Sequence, residues 1–315
     1  MRRLALLSIA VLLAGCGGER GGSADDGDAT VESDLSGRIQ ADGSSTVGPY
    51  TTAAAERFRS VHPDVQTTVG VSGTGGGFER FCAGETDLSN ASRAIEDDEK
   101  QACAAEGIEY VEFRVANDAL TVVVNPENDW VDCLTVAQLK KIWDTGSKVK
   151  SWRDVDPAFP DATMKLYGAG TDSGTFDYFT GAINGDEGRS RSDYSATEDD
   201  NVTVQGVSGD RGALGYFGLS YYEQNKDRLK ALEIDGGDGC VTPSVETAQD
   251  GTYKPLSRPL YIYAKKASFE RPEVHAFIEF ILENEREIAE AAQFVPLTDE
   301  QLTDAKADLA AATSG

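Results

Sequence analysis

Short runs rich in β-branched residues alternate with helical patterns along most of this 315-residue chain. This alternation favours an α/β architecture with largely parallel strand pairing, because each helix can carry the chain back to begin a neighbouring strand. The alternation of apolar and polar residues predicts strands at 65–71, 108–115, 120–124, 164–167, 202–207 and 260–264.

Helical patterns separate the predicted strands. One begins near Pro49, and another begins at Thr135, where Gln138 three residues later has the spacing of a capping box. The remaining helices are predicted around 78–82, around 176–183 and over 271–292. The polar stretch 184–201 is rich in Gly, Asp, Ser and Arg, which predicts a long surface loop.

The N-terminus has the layout of a secretory signal. Arg2 and Arg3 precede an apolar run of about ten residues, which is too short to span a bilayer. The run ends in LAGC at 13–16 and resembles the bacterial lipobox, which implies a signal peptide at 1–15 and a lipid on Cys16. An ordinary signal peptide with a chance cysteine is the alternative. Residues 16–36 have little apolar area, so they are predicted to be the lipidated cysteine and a flexible tether.

The net charge of the chain limits the ligands that it can bind. The formal net charge of −25 argues against nucleic-acid binding, and it means that any anion must be held by short-range hydrogen bonds.

If Cys16 carries a lipid, an even number of cysteines remains, which suggests disulfides outside the cytoplasm. Three pairings are possible, and four buried free thiols are the alternative. These cysteines are Cys82, Cys103, Cys133 and Cys240. They are widely spaced and the chain lacks a His-x-x-x-His motif, so neither a metal nor a cofactor is expected.

Three Ser/Thr-Gly clusters, at 42–49, 71–78 and 168–176, each lead into a predicted helix. The first backbone amides of a helix lack intrahelical partners and lie at the positive end of its dipole, so they can bind an anion. Each cluster alone could be an ordinary helix cap. Three that converge would outline a small tetrahedral oxyanion.

Two arginines could add positive charge to such a site. Arg93 is the first choice, and a salt bridge with Glu96 or Asp97 is its structural alternative. Arg211 is the second candidate for this charged role.

Six segments together make the chain resemble the phosphate-binding components of bacterial phosphate ABC importers. They are DGSSTVGP at 42–49, GTGGGF at 73–78, NASR at 90–93, GTDSGTFDYF at 170–179, GALGYFG at 212–218 and PLSRPLYIY at 255–263. The resemblance implies a type II periplasmic-binding-protein fold, in which two α/β lobes are joined by a two-strand hinge and the ligand lies in the cleft between them.

The lobe boundaries also follow from this resemblance. Lobe 1 is expected at 37–117 and 258–315, and lobe 2 at 118–257, with the hinge strands crossing near 115–121 and 255–260. Keeping each disulfide within one lobe favours Cys82–Cys103 and Cys133–Cys240.

The resemblance implies a set of phosphate ligands as well. They are Ser45, Thr46, Thr74, Ser92, Arg93, Asp172, Ser173, Gly174 and Thr175. Ser92 falls where some relatives have an aspartate that accepts the proton of hydrogen phosphate. Asp172 could take over that role here, or it could cap the following helix. Ala169 stands where some relatives have an arginine, so the charge is expected from Arg93.

The expected function is that of an extracytoplasmic, lipid-anchored binding protein that captures inorganic phosphate and delivers it to the permease subunits of an ABC importer. We expect a monomer that meets the membrane only through its lipid. The alternatives are binding of sulfate, molybdate or tungstate, and an envelope sensor. An enzyme such as a phosphatase is disfavoured, because neither His62 nor His275 lies near a serine cluster in sequence.

Overall fold

The computed structural model describes residues 35–171 and 173–313. The predicted signal peptide, Cys16, most of the predicted tether and Asp172 lie outside these residues. Within the described ranges, no helix is both long enough and apolar enough to cross a membrane.

The described residues form an α/β fold, as predicted. The strands are β1 Gly37–Gly43, β2 Val65–Val69, β3 Leu88–Ala91, β4 Tyr110–Val124, β5 Cys133–Thr135, β6 Lys165–Ala169, β7 Ser195–Thr197, β8 Ala213–Gly218, β9 Lys230–Ala231, β10 Glu233–Asp235, β11 Cys240–Val241 and β12 Ser257–Lys265. The α-helices are α1 Gly48–Val61, α2 Gly73–Cys82, α3 Asp97–Ala105, α4 Val136–Trp143, α5 Trp152–Val155, α6 Gly174–Asn184, α7 Asp200–Ser208, α8 Leu219–Glu223, α9 Val245–Gln249, α10 Pro272–Glu283, α11 Glu285–Ala291 and α12 Asp299–Thr313.

The main sheet has nine strands in the order β2-β1-β3-β12-β4-β8-β6-β7, with β9 also paired to β4. The outer pairs β1–β2, β1–β3, β6–β8 and β6–β7 are parallel. The pairs made by β4 and β12 are antiparallel, so the prediction of largely parallel pairing is wrong for the centre of the sheet. At the centre of the sheet, β4 and β12 run antiparallel to each other. Strand β3 is antiparallel to β12, and strands β8 and β9 are antiparallel to β4.

The long strand β4 joins the two halves of this sheet. Its residues from Tyr110 to Ala119 pair with β12, and those from Leu120 to Val124 pair with β8. We call β1, β2, β3, β12 and the start of β4 the first half-sheet, and the end of β4 with β6 to β9 the second half-sheet. The predicted lobe boundaries remain a prediction.

Each half-sheet has its own hydrophobic core. Tyr50 and Phe58 of α1 pack with Phe277 of α10 on the first half-sheet. On the second, the ring of Phe179 in α6 stacks on Tyr216 of β8, with centroids 3.8 Å apart. Burying each such ring contributes about 1.5–3 kcal/mol, so α1 and α6 are held firmly and their first turns are fixed in space.

The predicted strand at 202–207 is wrong, because these residues belong to helix α7. The Asp199 side chain accepts a hydrogen bond from the Asn201 amide and starts the helix. Thr203, Val204 and Val207 are then buried on one helical face. Burial of this face outweighs the modest strand preference of β-branched residues.

Two other predicted segments differ in detail. The helix expected over 271–292 is divided at Asn284 into α10 and α11. The loop expected over 184–201 contains β7 and a buried arginine, Arg191, which donates to the Ile142 carbonyl oxygen and pairs with Asp193. The capping box of Thr135 and Gln138 is confirmed.

Both predicted disulfides are confirmed. Cys82 of α2 is bonded to Cys103 of α3, and Cys133 of β5 is bonded to Cys240 of β11. The first crosslinks two helices beside the first half-sheet. The second closes a small three-stranded sheet made of β11, β10 and β5.

Candidate functional site

The turn between β1 and α1 presents Ser45 and Thr46. The Ser44 amide donates to the Asn90 carbonyl oxygen at 2.9 Å, and the Ser44 hydroxyl accepts from the Thr46 amide at 3.2 Å. Gly43 has a φ of +136°, and a Cβ there would lie 2.2 Å from the Asn90 carbonyl oxygen, so only glycine fits. This tight turn fixes the direction in which the Thr46 side chain leaves the sheet.

The first turn of α6 faces Thr46 from the second half-sheet. Ser173 caps the helix by accepting from the Thr175 amide at 3.1 Å. A Cβ on Gly174 would lie 3.0 Å from Thr46 Oγ1 and 3.2 Å from Thr46 Cα. Glycine therefore allows two of the three Ser/Thr-Gly clusters to approach each other closely.

A cavity of about 190 Å³ lies where these two turns meet. Hydroxyl and backbone donors line one part of it, and two carboxyl groups and a helix end line the rest. The lining residues are Ser45, Thr46, Pro49, Asp118, Ser173, Gly174, Thr175, Asp200, Gly218, Ala292, Gln293 and Phe294. Five predicted ligands, Ser45, Thr46, Ser173, Gly174 and Thr175, are thus brought together.

Arg258 of β12 is a cation bonded to two residues of the cavity wall. Its Nη2 donates to Thr46 Oγ1 at 2.8 Å, and its Nε pairs with Asp118 Oδ2 at 3.2 Å. Its guanidinium carbon lies 3.6 Å from the centroid of the Tyr178 ring, and the Tyr178 hydroxyl donates to the Pro255 carbonyl oxygen. The side chain is only 15% exposed, so this planar fork is held in a fixed orientation.

Three carboxyl groups near the cavity have raised pKa values. Burial raises the pKa of Asp118, although the Arg258 guanidinium beside it acts in the opposite direction. Burial together with the neighbouring Asp199 and Glu198 raises the pKa of Asp200 to about 6. Burial also raises the pKa of Asp177 in the first turn of α6. Asp200 can therefore hold a proton at mildly acid pH, and the ionised carboxylates that line the cavity can accept a hydrogen bond from a protonated anion.

The second cluster lies beside this cavity and does not line it. Thr74 Oγ1 and Ser92 Oγ are 3.0 Å apart and hydrogen-bonded, and the Ser92 amide donates to Thr74 Oγ1. The cluster shares the same sheet edge as the first one, since the Ser72 amide donates to the Gly43 carbonyl oxygen at 3.1 Å. The roles of Thr74 and Ser92 as ligands remain predictions.

Neither arginine chosen from the sequence lies at the cavity. Arg93 donates to both carboxylate oxygens of Glu99, at 2.7 and 2.8 Å, and also pairs with Glu96. The structure thus shows the salt-bridge alternative for Arg93. Arg211 is bonded to Asp129 and lines a separate cavity of about 670 Å³.

Arg258 and Asp118 were missed by the sequence analysis. Arg258 stands within PLSRPLYIY at 255–263, a segment that was recognised without a role being given to its arginine. Its position in the predicted hinge crossing was the available signal, because a crossing strand must pass the cleft. Asp118 lies in the other predicted crossing.

Comparisons with known proteins agree on one family. A family model described as "PBP superfamily domain" matches residues 27–285. Protein SphX of Synechococcus elongatus is 49% identical over 262 residues, which cover 82% of this chain and 77% of that protein. Phosphate-binding protein PstS of Staphylococcus saprophyticus is 42% identical over 305 residues, which cover 96% of this chain and 91% of that protein.

A solved structure gives the same result. The crystal structure described as a possible phosphate binding protein from Planctomyces limnophilus superposes with a TM-score of 0.86 at 48% identity. The match covers 89% of this chain and 100% of that chain.

Proposed function

This chain belongs to the PBP superfamily and, within it, to the phosphate-binding proteins of bacterial phosphate ABC transport; from that premise we propose that it binds one inorganic phosphate ion in the cavity between Thr46, Arg258 and the first turn of α6. No covalent chemistry is required of any of these residues. The relatives named above as phosphate-binding proteins support this non-enzymatic role.

The observation that carries this proposal is that two Ser/Thr-Gly turns line one small cavity, and that the largely buried guanidinium of Arg258 is hydrogen-bonded to Thr46 in its wall. Because Thr46 Oγ1 accepts from Arg258, its own hydroxyl proton is free to point at an anion. The first-turn amides of α6 other than that of Thr175, together with the Thr175 hydroxyl, supply donors from the opposite wall. Hydrogen bonds from donors fixed in this way bind an anion despite the net charge of −25.

The carboxyl groups at the cavity favour phosphate over sulfate. Hydrogen phosphate carries a proton that the ionised carboxylate of Asp118 or Asp200 can accept, whereas sulfate at neutral pH has none to donate. Sulfate would therefore place an unprotonated oxygen against a carboxylate. Asp172, for which the sequence predicts this role, lies outside the described residues.

The N-terminal sequence and the family support a proposal for the cellular role. Cleavage before Cys16 and lipid attachment to its thiol would hold the protein at the outer side of a membrane. There it would deliver phosphate to the permease subunits of an ABC importer as a monomer, with the two predicted lobes closing around the ion. The lipobox-like LAGC run and the phosphate-binding relatives support this part of the proposal.

Isothermal titration of the lipid-free chain with phosphate, sulfate and molybdate tests the function. We expect one phosphate ion per chain and much weaker binding of the other two anions. Binding of sulfate or molybdate in preference to phosphate would assign a different oxyanion, and the absence of any anion binding would refute the proposal. Release of inorganic phosphate from a phosphate ester by the purified chain would show an enzyme instead.

A further inference from the structure

Gln293 is the only residue other than glycine with a positive φ, at 62°, among the residues that the structure describes. It lies just after Ala292, the residue that caps the end of helix α11, and before Phe294, and these three residues line the proposed phosphate cavity. The left-handed conformation brings Cβ too close to the backbone, so it is uncommon for residues other than Gly and Asn. A glutamine here needs an explanation.

The backbone at Gln293 forms a regular helix ending. The Gln293 amide donates to the Glu290 carbonyl oxygen at 3.1 Å, and the Phe294 amide donates to the Ala289 carbonyl oxygen at 2.8 Å. This pair of bonds is the Schellman motif, in which the left-handed position is usually a glycine. Glycine at 293 would keep both bonds and remove the strain, so helix stability does not explain the glutamine.

The segment also cannot relax by moving away. Val295 and Asn117 exchange two backbone hydrogen bonds of 2.8 Å, which tie the segment to β4 next to Asp118. Phe294 packs against the core of the first half-sheet. The conformation of Gln293 is therefore imposed from both sides, and the residue is held in the lining of the cavity.

The side chain of Gln293 is exposed, and no described residue makes a hydrogen bond to the carboxamide at its end. An amide group supplies donors and an acceptor without charge, which suits a protonated oxyanion in a site that already contains carboxyl groups. We infer that the Gln293 side chain forms a third wall of the site and donates a hydrogen bond from Nε2 to the bound phosphate. This inference rests on the proposed function.

The test compares phosphate affinity and thermal stability in three variants. Gln293→Gly should raise the melting temperature by about 2–4 °C, because the strain is removed. It should weaken phosphate binding by about 3- to 10-fold, because a neutral hydrogen bond is lost. Gln293→Asn tolerates the same backbone but is one methylene shorter, so its affinity should fall like that of the glycine variant. Gln293→Glu should lose more affinity than either, because it places a charge against the anion.

Gln66→Glu is the matched charge control, because Gln66 is an exposed residue of β2 that does not line this cavity. It should leave phosphate affinity unchanged. Wild-type affinity in Gln293→Gly, or an equal loss in Gln66→Glu and Gln293→Glu, would overturn this inference and leave the proposed function standing. A lower melting temperature in Gln293→Gly would overturn the strain argument on which the inference depends. If the wild-type chain bound no phosphate, the proposed function would fail, and this inference with it.

Discussion

Arg258 and Thr46 are 212 residues apart in sequence, and their side chains are joined by a hydrogen bond of 2.8 Å. The bond links β12, which crosses the sheet centre, to the turn that starts α1. It also orients the Thr46 hydroxyl, since that oxygen accepts from the guanidinium. The pair therefore places one permanent charge and one free donor at the proposed phosphate site.

Replacing Arg258 should abolish tight phosphate binding. Arg258→Lys keeps a charge but loses the planar fork, and we expect affinity to fall by about 10- to 100-fold. Arg258→Met also leaves Asp118 buried without its partner, so the free energy of unfolding should drop by about 3 kcal/mol or more. Calorimetric titration and chemical denaturation measure these two effects.

Arg93→Met is the matched control for Arg258. Arg93 pairs with Glu96 and Glu99 and does not line the cavity. Its replacement should cost some stability and change phosphate affinity by less than about threefold. An affinity loss in Arg93→Met as large as that in Arg258→Met would return the charged role to Arg93.

Thr175→Val should keep the fold and remove one hydroxyl donor from the cavity. The desolvated partner is left unpaired, so phosphate binding should weaken by about 1–3 kcal/mol. Thr68→Val is the control, because Thr68 is exposed on strand β2 and valine suits a strand. Equal phosphate affinities for the two variants in calorimetry would remove Thr175 from the site.

Asp200 should make the stability of the protein depend on pH. Its pKa of about 6 in the folded state lies above the ordinary value, so the fold retains a proton that the unfolded chain releases. The resulting stabilisation is complete below about pH 4 and is lost as the pH rises through about 6. Asp200→Asn stays neutral, so at pH 7.5 it should be more stable than wild type by about 2–3 kcal/mol, and at pH 4 nearly equal to it.

Thermal unfolding at pH 4, 5, 6 and 7.5 gives this comparison. Asp238→Asn, at an exposed position, serves as the control and should follow the wild-type curve. A stability gain in Asp200→Asn that is the same at every pH would show that ionisation of Asp200 does not cause it.

The local chemistry of the site could be predicted from the sequence because it is encoded in short segments. Ser/Thr-Gly runs that precede helices contain Ser45, Thr46 and Ser173 to Thr175. The first backbone amides of such helices lack intrahelical partners whatever the direction of the helix. That the first and third runs meet depends on the order of strands in the sheet, which only the family resemblance indicated. The disulfide pairing was likewise favoured through the lobes that the resemblance implies.

The partner of Thr46 could not be predicted in the same way. Arg93 and Arg258 both stand in segments that carry the family resemblance, and the sequence does not show which one the fold brings to Thr46. Arg93 is paired with Glu99 of α3, whereas Arg258 of β12 is hydrogen-bonded to Thr46, which lines the cavity. The prediction of a strand at 202–207 was wrong for a related reason, because burial of one helical face determined the structure of this segment.

The Cys133–Cys240 disulfide should contribute most of its stabilisation by restricting the unfolded chain. It closes a loop with a sequence separation of 107, for which chain entropy gives about 4–5 kcal/mol. Cys133→Ala with Cys240→Ala should therefore lower the free energy of unfolding by about that amount, and phosphate affinity should not change. Denaturation by guanidinium measures the loss, and a loss below about 1 kcal/mol would refute the chain-entropy explanation.

A crystal structure of the lipid-free chain with phosphate tests the central claim most directly. We expect a single ion within about 2.6–3.2 Å of Thr46 Oγ1, the Arg258 guanidinium and Thr175 Oγ1. A phosphate bound beside Thr74, Ser92 and Arg93 without contact to Arg258, or a cavity that stays free of phosphate while the ion binds elsewhere on the chain, would contradict the account.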